Sequence, residues 1–253
     1  MKNQKKKGWA FLLFCALLLA NVTLTASEKL PYIKHKPSVA NDILESAYRY
    51  VGSLNRFSID AFTINDDIQE DMIVEVKHVT KVVVDRPGKL YIATRGDGKN
   101  KNIYLHNGLF TLYDVNYHYY GQLKTPGSID DTLDYIFDRY DIKTPLANIL
   151  YSDIATRLKP TTEGHYFGLT RIRNVLCHYI GFSNKNSELQ MWVAARGEPR
   201  IIKFTVIDKT GEREMRSTSW LRWNKRMPQR DLSLFRAPRN AVKIKIEVPE
   251  GRE

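Results

Sequence analysis

The sequence predicts an α+β protein: one large, curved antiparallel sheet with helices covering its concave face. Three observations carry this. Strand-like runs separated by turn residues fill most of the chain after residue 55. Each of the longer helical stretches has a single apolar stripe, which must find an apolar surface to cover. No strand–helix–strand alternation occurs, which argues against a parallel nucleotide-binding sheet.

The elements follow in order. Ser38 reads as the cap of a helix whose stripe is Val39, Ile43, Ala47, Val51 and Leu54. Residues 56–67 are extended, with Asp66-Asp67 starting a turn. Residues 72–85 alternate, so that Val74, Val76, Val82 and Val84 share one face and Glu75, Lys77, Lys81 and Asp85 the other. A short strand over 90–95 ends at Gly96-Asp97-Gly98. Asn107-Gly108 between runs 102–106 and 109–114 is a strong hairpin signal. Residues 117–124 return to Pro126-Gly127.

A helical insert comes next. Ser128 caps it and Asp131 completes a capping box. Ile129, Leu133, Ile136, Phe137 and Tyr140 form its stripe, and Pro145 opens a second helical stretch through Leu158. Strands resume over 161–172, 175–182, 189–194, 200–208 and 215–223. A basic linker spans 224–230. The cleanest alternation is the last, with Val242, Ile244, Ile246 and Val248 against Lys243, Lys245 and Glu247.

Residues 1–27 read as a signal peptide: lysines at 2, 5, 6 and 7, an apolar run from Trp9 to Ala20, then small polar residues. Cys15 lacks the preceding small residues of a lipoprotein signal. Removing those four lysines takes the formal charge from +11 to +7 and leaves residues 28–253 as a single domain. One cysteine then remains, Cys177, too few for an internal disulfide and placed in a strand-like run as a small buried hydrophobe.

Signals for chemistry are weak throughout. Asp130, Asp131, Asp134 and Asp138 are dense enough to suggest a metal or an acid/base site, but acids in a first helical turn complement the dipole. Adjacent Cys177 and His178 point to opposite faces of a strand and cannot act as a dyad. His106, His118 and His165 show no ligand spacing, and no nucleophile elbow or zinc-protease motif is present. The expectation is a protein without catalytic residues, metal or cofactor. Arg222, Lys225, Arg226 and Arg230, interleaved with Trp220 and Trp223, could suggest nucleic acid. In an exported protein, peripheral contact with anionic lipid head groups suits them better.

Arg86-Pro87, Leu90, Gly96-Asp97, Asn107-Gly108, Pro126 to Asp131, Pro145 to Asp153, Cys177-His178, Gln190 with Trp192, Pro199, Trp223-Asn224, Phe235, Pro238 and Ala241 stand in an order that resembles a bacterial family of predicted periplasmic proteins of unknown function. Where that family often carries a second histidine after Cys-His, this chain has Tyr179. The family in turn resembles carriers of the LolA/LolB type. That resemblance implies an incomplete β-barrel whose concave side, covered by helices, holds acyl chains.

The functional expectation is therefore a periplasmic, non-enzymatic binding protein for a hydrophobic ligand: an acyl chain, a lipid or a lipoprotein. Leu133, Ile136, Phe137, Tyr140 and Leu150 are the candidate cover and Trp192 a candidate wall. Two alternatives stand beside it: an envelope scaffold with a filled core and no ligand, and an envelope lipid hydrolase.

Overall fold

Among the described residues, twelve strands hydrogen-bond into one sheet in the order β12-β6-β5-β4-β3-β2-β1-β11-β10-β9-β8-β7. The computed structural model describes residues 37–140, 146–160 and 162–248. The expected leader, the lead-in to residue 36, Pro145 and Thr161 lie outside the described residues.

Helix α1 is Pro37–Ser53. It starts before Ser38, on a proline suited to a first turn, so Ser38 lies inside the helix rather than capping it. Its buried stripe is Ala40, Leu44, Ala47, Tyr48 and Val51, while Val39, Ile43 and Leu54 flank it half-buried. The expected stripe was thus offset towards one edge of the true face.

Strands β1 (Arg56–Gln69) and β2 (Met72–Asp85) form a long hairpin. The turn falls at Glu70-Asp71, both at positive φ, and not at Asp66-Asp67, which stay paired with Glu75 and Val74. Strands β3 (Lys89–Gly96), β4 (Lys99–His106), β5 (Leu109–Asp114) and β6 (Tyr119–Lys124) continue the meander. Asn107 and Gly108 take φ of 48° and 84°, as the tight β4–β5 turn requires.

Helix α2 is Ile129–Tyr140. The Ser128 hydroxyl accepts from the Asp131 N–H at 3.0 Å and donates to its carboxylate at 2.6 Å. The expected second helix is instead a 3-10 turn, Ala147–Leu150, and a single-turn helix α3, Ile154–Arg157. Tyr151 breaks them apart with extended backbone at ψ 136°.

Strands β7 (His165–Ile172), β8 (Val175–Ser183), β9 (Ser187–Ala194), β10 (Ile201–Asp208) and β11 (Met215–Trp223) form the second half, and β11 pairs with β1. Strand β12 is only Val242–Ile244 and runs parallel to β6. The sheet is therefore mixed at that edge, and the cleanest alternation in the sequence yields three strand residues, with Val242 and Ile244 exposed. No pairing joins β12 to β7 among the described residues. The fold is an open, incomplete barrel with helices on one side.

Register fixes the two faces. Ile59 sits opposite Val82 and Trp223, Val84 opposite Leu90, and Leu105 opposite Phe110. These point to the inner face, where α1, α2 and the 147–157 segment pack on them. Burying each such side chain contributes about 1.5–3 kcal/mol before the entropy of ordering is charged. On the outer face, residues 224–235 cross the sheet and seat Phe235 against Tyr104, Tyr113 and Tyr120, with centroids 5.0–5.7 Å apart.

Candidate functional site

The inner face is filled under the middle of α1 and open at one end. There α1, residues 148–160, Thr162 and strands β8–β10 border a pocket of about 370 Å³. Leu44 and Tyr48 line it from α1, Ile149 and Ile154 from the insert, and Met191 and Phe204 from the sheet. A wider cleft of about 720 Å³ adjoins it, because Asn148 and Val206 border both. Leu133, Phe137, Tyr151 and Met215 supply much of its apolar wall, and Asp66, Asp67, Asp208, Lys99 and Arg216 lie on its charged margin.

A polar network fixes the insert beside this opening. Arg86 is almost fully buried, donates to the carbonyls of Leu54 and Leu150, and lies 3.6 Å from the Asp130 carboxylate. Burial lowers its pKa, and Asp130 opposes that shift. Asp130 accepts the Ser152 N–H at 3.1 Å and the Ser152 hydroxyl. The Tyr151 hydroxyl donates to Asp134 at 2.9 Å, and Arg157 reaches the same carboxylate at 2.9 Å with its guanidinium 4.1 Å over the Tyr151 ring. Burial first, then the bonded Asp134, push the Tyr151 phenol up. Gly52 lets the end of α1 approach this segment, since a Cβ there would strike the Ser152 carbonyl.

Asp130, Asp131 and Asp134 are thus engaged in capping and tethering. Among the described residues no group of three or more His, Cys, Asp or Glu could hold a metal ion. His178 Nδ1 lies 3.1 Å from the Tyr166 hydroxyl, and His165 stacks on Phe167. Cys177 is fully buried opposite Ala194, and burial raises its thiol pKa.

The structure divides the candidate ligand residues. Leu133 and Phe137 line the wide cleft, with Phe137 40% exposed at its edge. Ile136 and Leu150 are buried in the core behind it, and Tyr140 packs half-buried against that core beside Tyr135. Trp192 is not with them. Met191 and Val193 face inward, so strand alternation sends Trp192 to the outer face. There it stacks on Tyr179 at 4.4 Å and 6°, so it forms no wall of the inner pocket. The basic candidates are also on the outer side: Arg222 pairs with Asp60 at 2.7 Å, Lys225 and Arg226 border one surface cavity, and Arg230 borders the next.

Residues that sequence reasoning missed are Leu44, Tyr48, Phe182, Leu189, Met191, Phe204 and Val206. Their signal was present: Leu189, Met191 and Val193 alternate on one face, as do Phe204 and Val206.

Residues 40–247 match the family described as Predicted periplasmic protein (DUF2092). The chain belongs to this family. That description agrees with the periplasmic address read from the N-terminal residues, and the periplasm is the compartment of this protein. No curated protein matches the sequence significantly. Among solved structures, the chain is similar to LprF from Mycobacterium bovis, with 10% identity and a TM-score of 0.47 over 77% of this chain and 96% of that one. It is also similar to the lipoprotein LppX from Mycobacterium tuberculosis, with 7% identity and a TM-score of 0.42 over 76% and 99%. A LolA superfamily protein from Nitrosomonas europaea aligns with 10% identity and a TM-score of 0.30 over 72% and 91%.

Proposed function

We propose that this protein is a non-enzymatic periplasmic binding protein that holds a hydrophobic ligand, an acyl chain or the acyl part of a lipid or lipoprotein, between the inner sheet face and the helical segments. The observation that carries the reading is the pocket of about 370 Å³, lined by Leu44, Tyr48, Ile149, Ile154, Met191 and Phe204 with polar residues such as Asn148, Arg157 and Ser187 among them, beside the wider cleft. Its size falls in the range of ligand sites, about 300–1,000 Å³. An acyl chain gains about 0.8 kcal/mol per buried methylene before association costs are subtracted. Such a site needs no polar motif, and the nearby carboxylates of Asp130 and Asp134 are committed to Ser152, Tyr151 and Arg157.

In this reading Leu133 and Phe137 touch a ligand in the cleft. Ile136, Tyr140 and Leu150 support them from behind. The filled centre of the inner face, with Ala47, Val51 and Ile59 fully buried, favours a second reading: an interaction protein that needs no ligand. Titration of the delipidated protein with a fluorescent fatty acid separates the two. The binding reading expects saturable uptake that Leu158→Trp, at the pocket wall, weakens at least severalfold without loss of fold. No saturable uptake, or an affinity indifferent to Leu158→Trp, would favour the interaction protein.

A further inference from the structure

The outer face carries an uncompensated cationic cavity beside exposed apolar side chains. On β1 and β2, Phe62 and Val79 sit opposite each other, 36% and 50% exposed, and Trp220 lies against Phe62 with centroids 5.7 Å apart. One pleat further along the same face, a cavity of about 470 Å³ is lined by Ser58, Asp60, Lys81 and residues 224–228. Asp60 is its acid, and Arg222 already pairs with it at 2.7 Å. Lys81, Lys225 and Arg226 are exposed and have no ion pair among the described residues, and neither has Arg230, which borders the next cavity. Three cations therefore face one opening without a free acid, next to a strip of aromatic and aliphatic surface.

The chemistry that fits is an anionic bilayer surface. Cations there meet head-group phosphates, each changing partition about fivefold, while Trp and Phe sit at head-group level. Single-stranded nucleic acid fits worse, because stacking on bases needs exposed ring faces. Along this outer row Tyr179 stacks on Trp192, and the Lys203 ammonium lies 4.1 Å and 5.1 Å from the centroids of Trp192 and Trp220, so those ring faces are already occupied.

We propose that the outer face, through Phe62, Val79, Lys81, Lys225 and Arg226, docks the protein on an anionic membrane surface. This is independent of any ligand on the inner face. Docked in this way, the protein keeps the inner pocket on the side opposite the bilayer.

Vesicle flotation of the protein purified from its own periplasm tests this. Vesicles of phosphatidylglycerol with phosphatidylethanolamine should carry the protein at low salt and release it at high salt. Pure phosphatidylcholine vesicles should not carry it. The double change Lys225→Glu with Arg226→Glu should lower partition at least tenfold, and Phe62→Ser severalfold, with unchanged circular dichroism. Lys185→Glu, in the β8–β9 turn, should have no effect. Equal partition into phosphatidylcholine, or an unchanged double variant, would overturn the proposal. So would complete competition by inorganic phosphate at matched phosphate concentration, which would mark a free-anion site, or tighter binding of single-stranded DNA than of vesicles. Uptake of lipid through the inner pocket would ignore salt and the charge reversals, so the two readings fail separately.

Discussion

The Lys203 ammonium lies 4.1 Å from the centroid of the Trp192 ring, on the face opposite the helices. Trp220 holds it from the other side at 5.1 Å. Burial, and secondarily Arg216, lower its pKa below the usual lysine value. Lys203 thus bridges a cross-strand row that runs from Tyr179 through Trp192 to Trp220 and Phe62. Lys203→Met keeps most of the stem packing and loses the cation, so it should cost about 0.5–2 kcal/mol. Lys203→Ala should cost more. Urea unfolding midpoints at constant slope measure both.

Asp130 ties the insert to the sheet corner. Asp130→Ala should leave the Arg86 guanidinium, 8% exposed, without its nearest carboxylate and cost about 3 kcal/mol. Ser152→Ala removes only the hydroxyl donor and should cost about 1 kcal/mol. If Asp130→Ala proved as mild as Ser152→Ala in chemical denaturation, the buried pair would not be holding the insert.

Leu150 and Phe137 should separate stability from binding. Leu150 is 1% exposed, so Leu150→Ala should destabilise by about 2–5 kcal/mol. Phe137 is 40% exposed at the cleft, so Phe137→Ala should cost about 1 kcal/mol or less and weaken fatty-acid uptake severalfold. Melting temperature and probe titration on the same samples check both.

Asp231 gives a pH signature. The Ser233 hydroxyl, then Lys89 at 2.9 Å, hold its carboxyl down at about 2. Its folded pKa lies below the unfolded value of about 3.9, so its contribution is complete above that value and disappears as pH falls through the folded one. Asp231→Asn should therefore be less stable than the parent at pH 7. The gap should narrow between pH 4 and pH 2 when unfolding is followed by fluorescence in urea.

Strands and turns were the most legible part of the sequence. Asn107-Gly108, the valine alternation of β2 and the Ser128–Asp131 box act through neighbours in the chain, and each appears in place. Where long-range partners decide, sequence reasoning slipped. The apolar residues from Leu146 to Leu158 suggest one helix, yet Asp130 and Asp134, well upstream, draw Ser152 and Tyr151 out of helical backbone. Strand β12 alternates cleanly, but among the described residues it pairs with β6 alone, and Ile246 instead packs over Gly121. Trp192 was legible in type and not in direction. Its neighbours Met191 and Val193 held the answer once α1 was known to cover their side. The basic cluster was visible as charge, but its separation from the inner-face cleft by the thickness of the sheet was not.

Native mass spectrometry of the protein purified from its own periplasm, with organic extraction of anything bound, tests the central claim most directly. The expected result is a bound population heavier than the chain by the mass of an acyl-bearing molecule, recovered in the extract and displaced by added fatty acid. A chain of bare mass with an empty extract, and no uptake of fatty acid after delipidation, would contradict it.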